Sequence, residues 1–172
     1  MAEIIKVYME QFPAVRLIGR RYSNAQRDAH GSYATTWNEW FENKLFEPLE
    51  AACGCAADYL GFMRCDESDF ARTFKYWIGV FAPSDTEVPQ GYEFLDIPQA
   101  DVAICWIQGG QNDAGIYAMH EACMSAFAQN SMGNFMRDEE NRTYFFERYN
   151  CPRFTEPDTQ GNIILDYGIY VS

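Results

Sequence analysis

The sequence predicts an α+β fold in which two layers, one of antiparallel strands and one of helices, form a single domain spanning residues 1–172. Two observations support this class: extended aromatic and β-branched runs recur along the chain, and two amphipathic stretches separate them. A chain of 172 residues needs only one core. The order strand, helix, strand occurs twice, in about 1–96 and 97–172, which indicates two related halves with a groove between them.

The first half opens with two extended runs separated by Pro13, followed by a polar loop over 23–34. Thr36 and Glu39 have the spacing of a capping box and predict the start of a helix there. Apolar residues continue at helical spacing to about residue 52, and Pro48 either kinks this helix or begins a second segment. The aromatic run 74–83 then predicts a strand, and 84–94 predicts a turn-rich connection.

The second half repeats this order after Pro98. Residues 100–110 predict a strand, and Asn112 or Asp113 can cap a helix over 114–129 that carries Ile116, His120, Cys123 and Phe127 on one face. Two further strands are predicted at 142–150 and 162–171. Alignment of Pro13 with Pro98 pairs Val15 with Ala100, Leu17 with Val102 and Tyr22 with Ile107.

The charge excludes some classes of function. With 25 acidic and 13 basic residues the net charge is -12, so phosphate backbones are repelled and direct nucleic-acid binding is not expected. The first residues contain Glu3, Lys6 and Glu10 and no long apolar run, so we expect neither a signal peptide nor membrane attachment. These features favour a cytoplasmic protein.

The six cysteines favour reduced thiols over a metal centre. Cys53, Cys55 and Cys65 are the closest group, but no CxxC pair or nearby histidine completes a ligand set, so no metal or other cofactor is expected. A cysteine nucleophile needs a neighbouring base. The two histidines, His30 and His120, are distant in sequence from most cysteines, although folding could bring His120 close to one.

Glu147 lies between aromatic residues in a predicted strand. Strand alternation places Phe145, Glu147 and Tyr149 on one face. In one interpretation the carboxylate is solvated and pairs with Arg148 or Arg153. In the other it lies in the aromatic wall of a groove, where it could pair with a cation, orient a hydroxyl group, or act as a general acid or base. Asp101 and Asp166 are alternative acids that we expect at strand surfaces or junctions.

Several short patterns occur in a characteristic order: an aromatic-x-Gly strand at 76–79, a Pro-x-Gly-aromatic turn at 89–92, an Ile-Pro-x-Ala strand entry at 97–100, and Glu147 in an aromatic strand. In this order the chain, from about 12 to 171, resembles the gyrase-inhibitor-like small-molecule-binding family, which also supplies the effector-binding domain of AraC-type and MerR-type regulators. The resemblance implies two pseudo-symmetric strand-helix-strand-strand repeats that share one antiparallel sheet, with two main helices and a central ligand groove.

The resemblance also implies that hydrophobic, aromatic or cationic small molecules bind between the repeats. Because family-like sequence begins near residue 4, no room remains for a helix-turn-helix domain, and we expect a stand-alone, sensor-like binding domain. The expected ligand-binding residues are Glu147, Tyr149, Phe145, Trp106, Trp77, Tyr76 and Trp40. Core packing is an equal alternative for Trp106, Trp77, Tyr76 and Tyr149. For Trp37 and Trp40 of the first helix the core is favoured, although one of them could close the groove.

Two alternatives remain open. Some stand-alone relatives are hydrolases that open cyclopropane rings of DNA-alkylating natural products, and in such an enzyme Glu147 and Tyr149 would be catalytic, with Tyr76 as a further hydroxyl donor. The net charge alone supports a third function, an acidic antagonist that binds a basic protein partner.

Overall fold

The computed structural model describes residues 1–54 and 57–172, so Cys55 lies outside the described residues. Within them the chain forms an antiparallel sheet with helices. The strands are β1 (Glu3–Phe12), β2 (Val15–Ser23), β3 (Tyr59–Cys65), β4 (Lys75–Pro83), β5 (Glu93–Ile97), β6 (Ala100–Gly110), β7 (Thr143–Arg148) and β8 (Asn162–Val171). The α-helices are α1 (Ala34–Glu42), α2 (Glu47–Cys53), α3 (Phe70–Thr73), α4 (His120–Gln129) and α5 (Pro152–Thr155). This architecture confirms the predicted α+β class.

The strand order is symmetric about its centre. The order is β1-β6-β8-β7-β3-β4-β2-β5, and neighbouring strands are antiparallel. Strands β3, β4 and β2 on one side of the β7–β3 junction correspond to β7, β8 and β6 on the other. Strands β2 and β6 begin at Val15 and Ala100, the residues that the alignment of the two prolines pairs. The two related halves therefore meet where β7 pairs with β3.

The two faces of the sheet support two clusters of buried side chains. The helices cover one face, where Trp40 and Leu49 from the first half and Cys123 and Phe127 from the second pack on the strands. On the other face the Phe12 ring of β1 lies 5.8 Å from that of Phe146 in β7 and 6.2 Å from that of Phe81 in β4. Because β1 and β4 are far apart in the strand order, these contacts require the sheet to curl around its second face.

The helices differ from the prediction at their ends. Helix α1 begins at Ala34, after Tyr33, so Thr36 lies inside it and the predicted capping box at Thr36 and Glu39 is wrong. The helical pattern that continues to residue 52 is divided, and α2 begins at Glu47 with Pro48 in its first turn. Proline is tolerated there because the first amides of a helix have no intrahelical acceptor.

Two strands lie where the sequence patterns did not predict them. Strand β3 follows α2 and pairs with both β4 and β7, and β5 begins at Glu93, in the last two residues of the stretch expected to be a turn-rich connection. In the second half, the Asp113 side chain accepts a hydrogen bond from the amide of Gly115 and caps a short 3₁₀ helix, Ala114–Ala118. The helix α4 begins only after it.

In the described part of the chain, no helix is long and apolar enough to cross a membrane.

Candidate ligand-binding site

A cavity of about 800 Å³ lies on the helix-bearing face of the sheet, in the size range of roughly 300–1,000 Å³ that is usual for ligand pockets. Both halves of the chain contribute to it. Its wall is mainly aromatic, and the aromatic lining residues are Tyr33, Trp37, Phe41, Phe70, Phe74, Tyr76, Tyr117, Phe145, Tyr149 and Phe154. The charged or titratable residues among the rest are Arg27, His120 and Glu147.

Glu147 provides the carboxylate of this cavity. On β7 it lies opposite Gly61 of β3 and Tyr167 of β8, and only 6% of its surface is exposed. Its Oε1 atom lies 2.7 Å from Nε2 of His120, and its Oε2 atom accepts a hydrogen bond from the hydroxyl of Tyr149. The carboxylate is thus held in position from two sides while it still faces the cavity.

A second layer of aromatic residues holds this arrangement in place. The indole Nε1 of Trp37 donates a hydrogen bond of 2.9 Å to the hydroxyl of Tyr76, and the ring of Tyr33 stacks on that of Tyr76 at 4.2 Å. Gly61 leaves room for the Tyr76 hydroxyl, because a Cβ atom at this position would lie only 2.4 Å from it. Helix α1 and strands β3 and β4 therefore position the residues that surround Glu147.

The tyrosines around Glu147 remain neutral donors. Burial, reinforced by the nearby charge of Glu147, raises the pKa of Tyr149 well above its ordinary value of 10.0, and the same two causes raise the pKa of Tyr76. Partial burial and the Glu147 charge also raise the pKa of Tyr117. These hydroxyl groups can donate hydrogen bonds to the carboxylate, but they cannot balance its charge.

The two arginines that follow Glu147 in the sequence, Arg148 and Arg153, bind another carboxylate. Both donate hydrogen bonds to Asp166 on the opposite face of the sheet. Arg148 Nη2 lies 2.6 Å from Asp166 Oδ2, and Arg153 Nε lies 2.7 Å from Asp166 Oδ1. Within the described residues, no lysine or arginine forms an ion pair with Glu147, so the interpretation in which its carboxylate is solvated and pairs with Arg148 or Arg153 is wrong. Asp166 is fully buried, and its predicted place at a strand surface or junction is also wrong.

The structure brings together four of the seven residues that the sequence suggested as ligand contacts. Phe145, Glu147, Tyr149 and Tyr76 line the cavity. The other three of the seven, Trp40, Trp77 and Trp106, do not line it. Trp77 and Trp106 belong to the cluster on the opposite face, where Trp106 donates a hydrogen bond of 3.3 Å to the Tyr8 hydroxyl, and Trp40 is buried beneath α1 with its indole bonded to Tyr22.

Sequence reasoning did not assign His120 to this site, although its helical spacing placed it on the inward face of α4. Trp37 was expected in the core, and Tyr33 and Arg27 lay in a loop with no recognisable pattern. Helical periodicity is the signal that could have found His120 and Trp37. No local signal identifies the loop residues, because their contacts depend on how the loop packs against β4 and α3.

The cysteines do not form a metal-binding cluster in the described part of the chain, where no three His, Cys, Asp or Glu side chains converge. Cys123 lies on α4 against Cys105 of β6. The contact with Cys105, together with burial, raises the pKa of the Cys123 thiol, which therefore remains protonated near neutral pH. A protonated thiol is a poor nucleophile.

Comparisons with known proteins identify the fold. No protein-family model and no curated protein matches the chain. Among solved structures, one from Staphylococcus aureus MU50, assigned to bacterial transcription regulation, has a TM-score of 0.63 and 18% sequence identity over 98% of this chain and 99% of its own. The structure of SAV2435 bound to tetraphenylphosphonium has a TM-score of 0.64 and 15% identity over 98% of this chain and 94% of its own. These similarities place the chain in the same fold as both structures.

Proposed function

We propose that the protein is a binding domain for hydrophobic aromatic cations and that Glu147 supplies the counter-charge. The observation that carries this proposal is a nearly buried carboxylate in an aromatic cavity of about 800 Å³, with no basic side chain of the described residues paired to it except His120. Removing a carboxylate from water is costly unless another positive charge offsets it. A bound cation would provide that charge.

The cavity wall suits the rest of such a ligand. Aromatic faces attract cations through their quadrupoles and contact flat or propeller-shaped ring systems over a large area. Phe41, Phe70 and Tyr117 line the cavity and remain 55%, 43% and 46% exposed. Exposed aromatic side chains at an open cavity leave apolar surface for a bulky ligand to cover.

The fold similarity supports the same class of ligand. SAV2435 shares the fold and was solved with tetraphenylphosphonium, a hydrophobic aromatic cation. At 15% identity this similarity does not carry residue roles to the present chain. The cavity and Glu147 carry the proposal here, and the resemblance of the sequence to the gyrase-inhibitor-like family agrees with it.

Tetraphenylphosphonium binding to a Glu147→Gln variant tests this proposal. Glutamine keeps the size and one acceptor oxygen of glutamate but removes the charge, so we expect affinity to fall by about tenfold or more, which corresponds to about 1.4 kcal/mol. Quenching of tryptophan fluorescence can report binding, because Trp37 lines the cavity. Glu121→Gln is the matched control, since Glu121 is exposed and the change in net charge is the same.

The control variant should bind tetraphenylphosphonium as the wild type does. An equal loss in both variants would mean that the overall charge, and not Glu147, attracts the cation. Wild-type affinity in the Glu147→Gln variant would remove Glu147 from the site.

The contacts of Glu147 favour a second candidate, hydrolysis of a strained ring. A carboxylate positioned by Tyr149 and His120 is a suitable general base toward water, and Tyr149 could donate a proton to the departing carbon. Incubation with a cyclopropane-bearing alkylator, followed by mass analysis, should then show addition of one water to the compound. Turnover that Glu147→Gln abolishes would support the enzyme, whereas binding without turnover would leave a binding domain.

A further inference from the structure

His120 places a titratable cation against the carboxylate that the ligand needs. Its Nε2 atom lies 2.7 Å from Glu147 Oε1, and its side chain is 34% exposed, so protons from solvent can reach it. The imidazole ring stacks on the ring of Tyr167, with centroids 4.3 Å apart and planes 16° from parallel. This contact fixes the orientation of the imidazole ring.

We propose that His120 couples ligand capture to pH: a proton on His120 and an aromatic cation in the cavity compete for Glu147, so cation binding releases a proton. This inference rests on the proposed function and adds its regulation. Glu147 carries one negative charge, and a protonated imidazole at 2.7 Å offsets it. The incoming cation then meets a carboxylate whose negative charge the imidazolium of His120 already offsets.

The other groups around His120 keep their charge state near neutral pH. Tyr167 of β8 and Tyr117, three residues before His120, have pKa values raised chiefly by burial, as do Tyr149 and Tyr76, which surround Glu147. Cys123, one turn along α4, also has a raised pKa. These groups therefore remain neutral between pH 5 and 8.

Two charged side chains, Arg27 and Glu121, lie near His120. Arg27 lines the same cavity, but its guanidinium lies over the rings of Tyr33 and Phe74, 5.0 and 4.9 Å from their centroids. Glu121 follows His120 on α4 and is exposed. Histidine is the side chain that ordinarily changes charge in this pH range. His120 is thus positioned to act as the proton-sensitive partner of Glu147.

The size of the effect follows from linkage. If binding a cation lowers the affinity of the site for a proton, protonation must lower the affinity for the cation by the same factor. In the limit of one proton released for each cation bound, affinity changes by about tenfold per pH unit. The affinity for the cation therefore rises with pH until His120 is neutral and then becomes constant.

The test measures the tetraphenylphosphonium dissociation constant from pH 5 to pH 8.5 in the wild type and in two variants. This ligand is permanently charged, so its own charge does not change with pH. His120→Gln keeps an amide donor for Glu147 but does not titrate. His30→Gln is the matched control, because His30 is the other histidine of the chain, is exposed and does not line the cavity. Calorimetry at pH 6 in two buffers of different protonation enthalpy counts the protons released.

We expect wild type and His30→Gln to bind at least about tenfold more tightly at pH 8 than at pH 5 and to release protons at pH 6. His120→Gln should show a much flatter profile and release few or none. Equal pH profiles in wild type and His120→Gln would overturn the coupling and leave the proposed function intact. Absence of binding in the wild type at every pH would overturn the proposed function and this inference together.

Discussion

Two carboxylates on neighbouring strands show how differently the same chemical group is used in this protein. Glu147 of β7 faces the aromatic cavity and is held by a tyrosine and a histidine, whereas Asp166 of β8 faces the other side of the sheet and is held by two arginines. Asp166 is fully buried, and its charge is balanced within the protein. Asp166 therefore serves stability, while Glu147 has charge left for a ligand.

Replacing Asp166 with asparagine should destabilise the protein without affecting ligand binding. The change leaves Arg148 and Arg153 without their buried partner, and loss of one member of a buried ion pair costs about 3–5 kcal/mol. Denaturant unfolding should show this loss, whereas Asp101→Asn, at an exposed position of β6, should change the free energy of unfolding by less than about 0.5 kcal/mol.

Tetraphenylphosphonium affinity should stay within about twofold of wild type in the folded Asp166→Asn protein, because the two sites lie on opposite faces. A stability equal to that of Asp101→Asn would show that the arginine cluster contributes little. A large loss of affinity would show that the two faces are coupled.

Alternation along β7 was sufficient to place Phe145 and Glu147 on the same face, and the structure has them there. Alternation gives a period of two but does not say which face is which. For this reason the strand pattern could not show that Trp77 and Trp106, which were also chosen from strands, lie on the opposite face. The burial of Asp166 could not be predicted either, because Arg153 reaches it from α5, which has no sequence pattern that links it to β8.

At the scale of elements, α1 is shared between the core and the cavity. Trp40 is fully buried and packs on Phe46, whereas its neighbour Phe41 is 55% exposed and lines the cavity. Adjacent helical residues point about 100° apart, so a single short helix can serve both environments. The helix thus connects the stability of the first half to the shape of the site.

Alanine substitutions at these two neighbours should separate the two roles. Trp40→Ala leaves a large cavity in the core and should cost about 3–5 kcal/mol in the free energy of unfolding. Phe41→Ala removes mainly exposed surface and should cost less than about 1 kcal/mol, but it should weaken tetraphenylphosphonium binding several-fold. Denaturant unfolding and ligand titration of both variants make the comparison.

The reverse pattern, in which Phe41→Ala unfolds easily and binds normally, would contradict this assignment. Helical periodicity predicted that α1 has an inward face. Neither the position of the helix end nor the cavity on its flank could be predicted, because both depend on the loop at 23–33 and on strand β3. Strand β3 escaped prediction although it pairs with strands of both halves and provides Gly61 beneath the site.

At the scale of the whole molecule, the two related halves meet at β7 and β3, and the cavity draws its lining from both. The order of elements in the sequence predicted an α+β arrangement of two related halves but not strand β3 at their junction, and the strand order of the sheet is symmetric about that junction. The net charge of -12 adds a general attraction for cations over the whole surface. A test of the site must therefore separate this general attraction from the local effect of Glu147.

The most direct test compares two ions of nearly equal size and shape but opposite charge, tetraphenylphosphonium and tetraphenylborate, in wild type and in Glu147→Gln at physiological salt. Both ions bury similar aromatic surface, and salt screens distant charges within about 8 Å, so a preference between them reports the charge inside the cavity. The wild type should bind the cation at least about tenfold more tightly than the anion, and Glu147→Gln should lose most of that preference. Equal affinities for the two ions in the wild type, or an unchanged preference in the variant, would contradict the account.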